Sequence, residues 1–105
     1  MIHLTVYRVH PDKVDQLRAW LAEAGSRADE VRETFVREGV RHEVGYLLET
    51  SDGPLLVYAN ELDDYEAALA EFLASQAPID VQHREIMPQL TNGTVELTPL
   101  LDISL

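Results

Sequence analysis

The sequence predicts an α+β fold whose main elements follow the order β-α-β-β-α-β. Alternating apolar residues over 2–9 predict a first strand, and apolar residues at helical spacing over 12–38 predict a long first helix. Two alternating segments joined by a turn predict a hairpin, and a second helix, a short extra helix and a last strand follow. This order is typical of a ferredoxin-like fold with an antiparallel sheet.

The first strand and the long helix have the clearest periodicity. The apolar stripe of the helix consists of Val14, Leu17, Leu21, Ala24, Ala28, Val31 and Phe35. Since this stripe keeps its phase, we expect one helix over 12–38, capped by Asp12, kinked if at all at Gly25 and ended by Gly39. The acidic residues Asp29, Glu30, Glu33 and Glu38 alternate with arginines, which predicts a solvated helix face without a chemical role.

The remaining elements are bounded by turn and capping residues. Strands over 40–50 and 55–60 flank a turn at 51–54, and Asp63-Asp64 precedes a helix that Pro78 closes. We expect Asp80 to cap the short extra helix, with Ile79, His83, Ile86, Met87 and Leu90 on one face. Pro88 is expected to end or bend this helix. The final strand is predicted over 94–101.

Both faces of the predicted sheet are partly apolar. We expect the helices to cover the face formed by Ile2, Leu4, Val6, Val44, Leu48, Leu55 and Val57. The other face would then carry Tyr7, Val9, Leu47, Leu56, Tyr58 and Leu100, mixed with Glu43, Glu49 and Glu96. Because this second face is too apolar for a fully solvated sheet, we expect a homodimer that pairs through it.

Composition narrows the classes of function. The 105 residues predict a single domain over 1–105, and a net charge of -11 with Lys13 as the only lysine argues against nucleic acid or anionic membrane partners. No cysteine is present, and the histidines at 3, 10, 42 and 83 lack the spacing of a metal site. Without a signal peptide or membrane span, we expect a cytoplasmic protein with no metal and no tightly bound cofactor.

Three stretches of the chain carry a resemblance to a known superfamily. They are YRVHPDK at 7–13, EGVRHE at 38–43 and APIDVQHREIM at 77–87. With the β-α-β-β-α-β order, the chain resembles the dimeric α/β-barrel superfamily of antibiotic-biosynthesis-type monooxygenases, polyketide cyclases and stress-response proteins. Within it, the chain resembles a small uncharacterised family. The resemblance implies a homodimer with a small-molecule pocket between sheet and helices, and it attaches no reaction.

His83 and Arg8 are the candidate catalytic residues. His83 lies on the same face as Ile79 and Ile86, so we expect it to point inward as a proton donor or acceptor. Arg8 has the parity of Val6 at the end of the first strand, where it would clamp an anionic group. The alternatives are a structural core histidine and an arginine that reaches solvent or pairs with a glutamate.

Five further residues are candidates for substrate binding. His42 and Tyr46 share one face of the second strand and would line the pocket if that face meets the helices. Glu43 and Tyr58 have the opposite parity and are expected at the dimer interface, although Glu43 replaces His42 in the pocket if this parity is reversed. Trp20 lies beside the apolar stripe, either as a flank contact or as a lid over the pocket.

Three classes of function fit these residues. The first is a small-molecule enzyme without a tight cofactor, acting as a cyclase, isomerase or cofactor-independent monooxygenase. The second is a non-catalytic dimer that binds a small metabolite, as a stress-related protein would. The third is a dimerisation module that acts through its surface, which predicts a filled interior.

Overall fold

The computed structural model describes all 105 residues. The elements in chain order are β1 (Ile2–Val9), a 3-10 turn (Pro11–Lys13), α1 (Val14–Ser26), α2 (Ala28–Glu38), β2 (His42–Thr50), β3 (Gly53–Glu61), α3 (Tyr65–Ala74), α4 (Pro78–Leu90) and β4 (Thr91–Val95). The α+β class and the predicted order, including the extra helix before the last strand, are confirmed. No helix combines the length and the apolar character that a membrane crossing requires.

The four strands form one antiparallel sheet in the order β2-β3-β1-β4. The hairpin of β2 and β3 stays in register from the turn pair Thr50 and Gly53 to His42 opposite Glu61. β1 lies between β3 and β4, as the ferredoxin-like arrangement requires. β4 is shorter than predicted, because residues 96–105 form no regular structure.

The predicted long helix is two helices, so this expectation was wrong. The break falls at Arg27, whose φ of -109° and ψ of 36° leave the helical region, while Gly25 stays inside α1. Arg27 donates hydrogen bonds to Glu30 on α2 and to Gln82 on α4, so its side chain ties three helices together at the break. Gly39 ends α2 with a φ of 75°, as predicted.

Three other helix boundaries differ from the prediction. Asp12 makes no capping hydrogen bond, and Asp80 lies in the first turn of α4 rather than capping it. Pro88 lies inside α4 instead of ending it, although it lacks the N–H of one backbone hydrogen bond. In the same turn Thr91 Oγ1 donates to Met87 O at 2.8 Å. The predicted acidic cap of α3 is confirmed, since Asp64 accepts a hydrogen bond from Ala67 N at 3.0 Å.

The helices cover the sheet face opposite to the one predicted. The buried core consists of Val9, Leu17, Trp20, Leu56, Ile79, Met87 and Leu90, with Tyr7, Leu47 and Tyr58 packed against it. The other face is open: Ile2, Leu4, Tyr46 and Leu48 are 71%, 47%, 57% and 50% exposed. The expectation failed because both faces of these strands are apolar, so alternation alone does not say which one meets the helices.

Candidate functional site

A cavity of about 200 Å³ lies between the helix-covered face of the sheet and the helices. All four α-helices and strands β1, β2 and β3 contribute to its wall, and 14 of its 21 lining residues are hydrophobic. An engineered protein cavity of about 150 Å³ accommodates benzene. The volume therefore suits one ring with a short substituent.

The floor of the cavity is built from neighbouring positions on the sheet. Glu43 on β2 lies opposite Asn60 on β3, and Tyr58 on β3 lies between Gly45 and Thr5. A Cβ atom at Gly45 would lie 3.2 Å from Cε1 of Tyr58, so the glycine leaves room for the tyrosine ring. Burial raises the pKa of Tyr58 well above its ordinary value, which keeps its hydroxyl neutral.

His83 is held in one orientation by Trp20. The indole Nε1–H of Trp20 on α1 donates a hydrogen bond to Nδ1 of His83 on α4 at 2.9 Å. Because Nδ1 accepts, the proton of the neutral ring belongs on Nε2. Burial lowers the pKa of His83, although the negative charge of Asp80 acts in the opposite direction. His83 is therefore a neutral ring with Nε2–H left to donate to an occupant.

Two glutamates of the cavity wall have raised pKa values. Although Glu43 as a residue is exposed, surrounding protein atoms desolvate its carboxyl. This desolvation, together with the charge of Asp80, raises the pKa of Glu43 to about 7. The same two causes, in the same order, raise the pKa of Glu38 to about 7. Both carboxyls thus exchange protons near neutral pH, where acid–base catalysis operates.

Three buried side-chain atoms have no hydrogen-bond partner within the protein, and all three belong to residues of the cavity wall. They are the hydroxyl of Tyr58, Oδ1 of Asn60 and Oδ2 of Asp80. Asp80 is only 6% exposed. Because an unpaired buried polar group costs free energy, these atoms mark where a polar occupant would bind.

The family model described as "Family of unknown function (DUF6176)" matches residues 1–104. The chain belongs to this family. No curated protein matches the sequence. The predicted resemblance to a small uncharacterised family is thereby confirmed.

Two solved structures share the fold of this member of the family. Rv0793 from Mycobacterium tuberculosis is 22% identical, with a TM-score of 0.54 over 98% of this chain and 96% of that one. A proposed antibiotic biosynthesis monooxygenase from Bacteroides thetaiotaomicron is 20% identical, with a TM-score of 0.55 over 96% of this chain and 90% of that one. At this identity the likeness shows the fold alone, and it confirms the predicted ferredoxin-like fold.

Four of the seven site residues predicted from the sequence line the cavity. They are Trp20, Glu43, Tyr58 and His83. The placement of Glu43 and Tyr58 at the outer face was wrong because the parity of the sheet is reversed, and Glu43 takes the place that was expected for His42. Trp20 belongs to the core and the cavity wall at once.

The other three predicted residues, Arg8, His42 and Tyr46, lie away from the cavity. Arg8 points to the open side of the sheet, where it donates a hydrogen bond to Thr94 O at 2.8 Å. His42 and Tyr46 are exposed on the same side of the sheet. Their placement in the pocket was wrong for the same reason of parity, and no arginine or lysine lines the cavity.

Sequence reasoning missed Glu38, Asp80 and Asn60. Glu38 follows Phe35 by three residues, so it continues the apolar stripe, and this spacing was the signal that could have found it. Asp80 precedes His83 by three residues and shares its face of α4. Asn60 gave no signal in the sequence. Within this cavity and elsewhere, no three histidine, aspartate or glutamate side chains converge as a metal site would require.

Proposed function

We propose that this protein is a small-molecule enzyme that transfers a proton on a single-ring substrate inside the cavity, without a tightly bound cofactor. One observation carries the proposal: a carboxyl with a pKa of about 7, Glu43, shares a small apolar cavity with the neutral His83. Titratable groups with perturbed pKa values in a concave site are typical of catalytic sites. Proton transfer by such groups would catalyse an isomerisation or a cyclisation.

Glu43 acts as the general base. Its carboxylate removes a proton from a carbon beside a carbonyl group of the substrate, and the electron pair of that C–H bond moves toward the carbonyl oxygen. The protonated Glu43 then returns the proton to another carbon of the same molecule, so the substrate is rearranged without a change of oxidation state. A pKa near the working pH makes both steps accessible.

His83 acts as a hydrogen-bond donor rather than as the base. Since Nδ1 already accepts from Trp20, Nε2–H is the group that stabilises the oxygen on which negative charge develops. Trp20 is a positioning residue, because it fixes the tautomer of His83 without touching the reacting atoms. Arg8 was expected to bind an anionic group of the substrate. In this proposal His83 stabilises the negative charge instead, as a neutral hydrogen-bond donor that is fixed in place.

We also propose that two copies of the chain pair through the open face of the sheet. Ile2, Leu4, Tyr46 and Leu48 expose a continuous set of apolar side chains there. Four apolar residues of the segment 96–105 are exposed as well: Leu97, Leu100, Leu101 and Ile103. Apolar surface of this extent is typical of a protein interface.

Solvent exchange tests the proton transfer. Single-ring ketones and phenols are incubated with the protein in deuterium oxide, and replacement of carbon-bound hydrogen is followed by NMR. We expect exchange that Glu43→Gln slows by at least about a hundredfold, the usual range for loss of a general base. Glu49→Gln removes the same charge from an exposed position of β2 and is expected to leave the rate unchanged.

The same experiment separates catalysis from binding alone. A non-catalytic metabolite-binding protein would retain ring compounds in the cavity, seen as shifts of the Tyr58 and His83 resonances, without accelerating exchange. Exchange that persists in Glu43→Gln would remove Glu43 from the role of base. If no ring compound binds in the cavity, the protein would instead be a dimerisation module that acts through its surface.

A further inference from the structure

We propose that the cavity selects ligands that carry an organic ammonium group on a single ring, with the carboxylates of Asp80 and Glu38 as its binding groups. This inference deepens the proposed function, because it rests on the cavity being the substrate site and names the chemical class that enters it. Three separate features of the cavity wall support it: its charge, its unpaired acceptors and its aromatic rings.

The charged groups of the cavity wall are all acidic. Glu38, Glu43 and Asp80 contribute three carboxyl groups, and no lysine or arginine lines the cavity. His83 does not supply the missing positive charge, because its pKa is lowered. Carboxylates that face one another in a partly buried space repel, and a bound cation relieves that repulsion.

The unpaired buried atoms of the wall are mostly acceptors. Oδ2 of Asp80 and Oδ1 of Asn60 both need a hydrogen-bond donor, and the hydroxyl of Tyr58 can accept as well. An ammonium group brings three donors and no acceptor. Asp80 is only 6% exposed, and an ammonium group would supply the donor that its Oδ2 lacks within the protein.

Aromatic rings surround the same space. Tyr7 and Tyr58 meet edge to face with ring centroids 6.2 Å apart, and Phe72 and His83 meet at 5.7 Å in the same manner. All four line the cavity. The faces and edges of such rings accommodate both an apolar ring and a cationic group beside it.

A metal ion fits this wall less well than an organic cation. The carboxyl groups do not converge with His83 into a set of metal ligands. They are distributed instead over the end of α2, the start of α4 and the strand β2. Dispersed acceptors around an apolar space match a ligand whose charge sits on one end of a ring compound.

Three probes of similar size test the inference: 2-phenylethylamine, 2-phenylethanol and phenylacetate. Binding of each is measured at pH 7.5 by calorimetry and by NMR shifts of the intact protein. We expect the amine to bind at least about tenfold more tightly than the alcohol, and phenylacetate to bind most weakly, because a hydrogen bond to a charged group is worth that much or more. Equal binding of amine and alcohol, tighter binding of phenylacetate, or no binding of the amine would each overturn the proposal.

Two variants locate the effect. Asp80→Asn and Glu38→Gln are each expected to reduce the preference for amine over alcohol by about tenfold, whereas Glu49→Gln leaves it unchanged. Glu38 is the last residue of α2, where a substitution disturbs the fold less than in the core. Glu38→Gln therefore tests the ammonium site if Asp80→Asn does not fold. An unchanged preference in a folded Asp80→Asn or Glu38→Gln protein would overturn the assignment of the ammonium site. Failure of the proton-transfer proposal would be seen separately, as solvent exchange that does not depend on Glu43.

Discussion

The indole Nε1–H of Trp20 donates to Nδ1 of His83 across 2.9 Å, and this one hydrogen bond joins α1 to α4 at the cavity. Because the indole N–H can only donate, the bond requires that Nδ1 of His83 carries no proton. The bond therefore stabilises the neutral ring, in agreement with the lowered pKa of His83. A structural contact in the core thus also decides which nitrogen faces an occupant.

Trp20→Phe tests this relationship. We expect the pKa of His83 to rise, because the neutral form loses the hydrogen bond that favours it and water reaches the ring more easily. Stability should fall by about 1–3 kcal/mol through the lost bond and the smaller side chain. NMR titration of the histidine ring protons checks the direction, with His10 and His42 as internal references outside the cavity. An unchanged titration of His83 would contradict the proposed role of Trp20.

The raised pKa values of Glu38 and Glu43 make stability depend on pH. Both carboxyls have a pKa of about 7 in the folded protein and about 4.5 in an unfolded chain, so the folded state binds more protons between these values. The stabilisation is complete below about pH 4.5 and is lost as the pH rises through 7. Thermal unfolding at pH 5, 6, 7 and 8 should therefore give a Tm that decreases over this range.

Glu43→Gln should flatten that decrease in Tm, because the amide stays neutral at every pH. Glu49→Gln is the matched control, since it removes one negative charge from the exposed part of the same strand and so corrects for the general effect of net charge. If the two variants show the same pH dependence, the effect belongs to net charge and not to the cavity.

The order of elements could be predicted from the sequence because each element has its own periodicity and its own boundary residues. Gly39 and Asp64 act locally, so their roles as a helix stop and a helix cap were visible without the fold. The break at Arg27 was not, because it depends on contacts with Glu30 and Gln82, of which the second lies on another helix. Propensity pointed to Gly25 instead.

The face of the sheet could not be predicted, and the cavity explains why. The covered face mixes apolar residues with charged ones such as Glu43, which assigned it to a dimer interface rather than to the core, yet Glu43 lines the site. The open face is apolar as well, as Ile2 and Leu4 illustrate, so alternation alone could not separate the two faces. Once parity is corrected, Glu43, Tyr58, Trp20 and His83 fall into one site.

Gly45 controls the position of the Tyr58 ring. In Gly45→Ala the new Cβ would lie 3.2 Å from Cε1 of Tyr58, so the ring must shift by a few tenths of an ångström. We expect weaker binding of ring compounds and shifted Tyr58 resonances, with a stability change of about 1 kcal/mol or less. Gly25→Ala is the control: a Cβ there meets nothing within 4 Å, and it should raise stability by about 0.5–1 kcal/mol without affecting binding. Unaltered binding in Gly45→Ala would show that Tyr58 tolerates the shift.

The apolar open face of the sheet predicts that the protein is a dimer. Light scattering at micromolar concentration should give twice the chain mass of 11.8 kDa. Leu48→Arg should reduce this to the mass of one chain, because a charge would be buried within the proposed interface. Leu73→Arg changes a leucine of similar exposure on α3 and should leave the dimer intact, since that side chain lies on the helical layer. A wild-type chain of single mass would contradict pairing through this face.

The affinity for 2-phenylethylamine should depend on pH, and the charge of the carboxyls fixes the direction. Below pH 7 the carboxyls of Glu38 and Glu43 are largely protonated, and above it they become carboxylates, whereas a primary amine keeps its positive charge until about pH 10. Binding of 2-phenylethylamine should therefore strengthen from pH 6 to pH 8 and release protons near pH 7, seen as a dependence of the calorimetric heat on the buffer. Glu38→Gln should weaken both effects. Affinity that falls over this range would mean that the cavity prefers a neutral or proton-donating ligand, and the carboxyls would then act as donors rather than as anions.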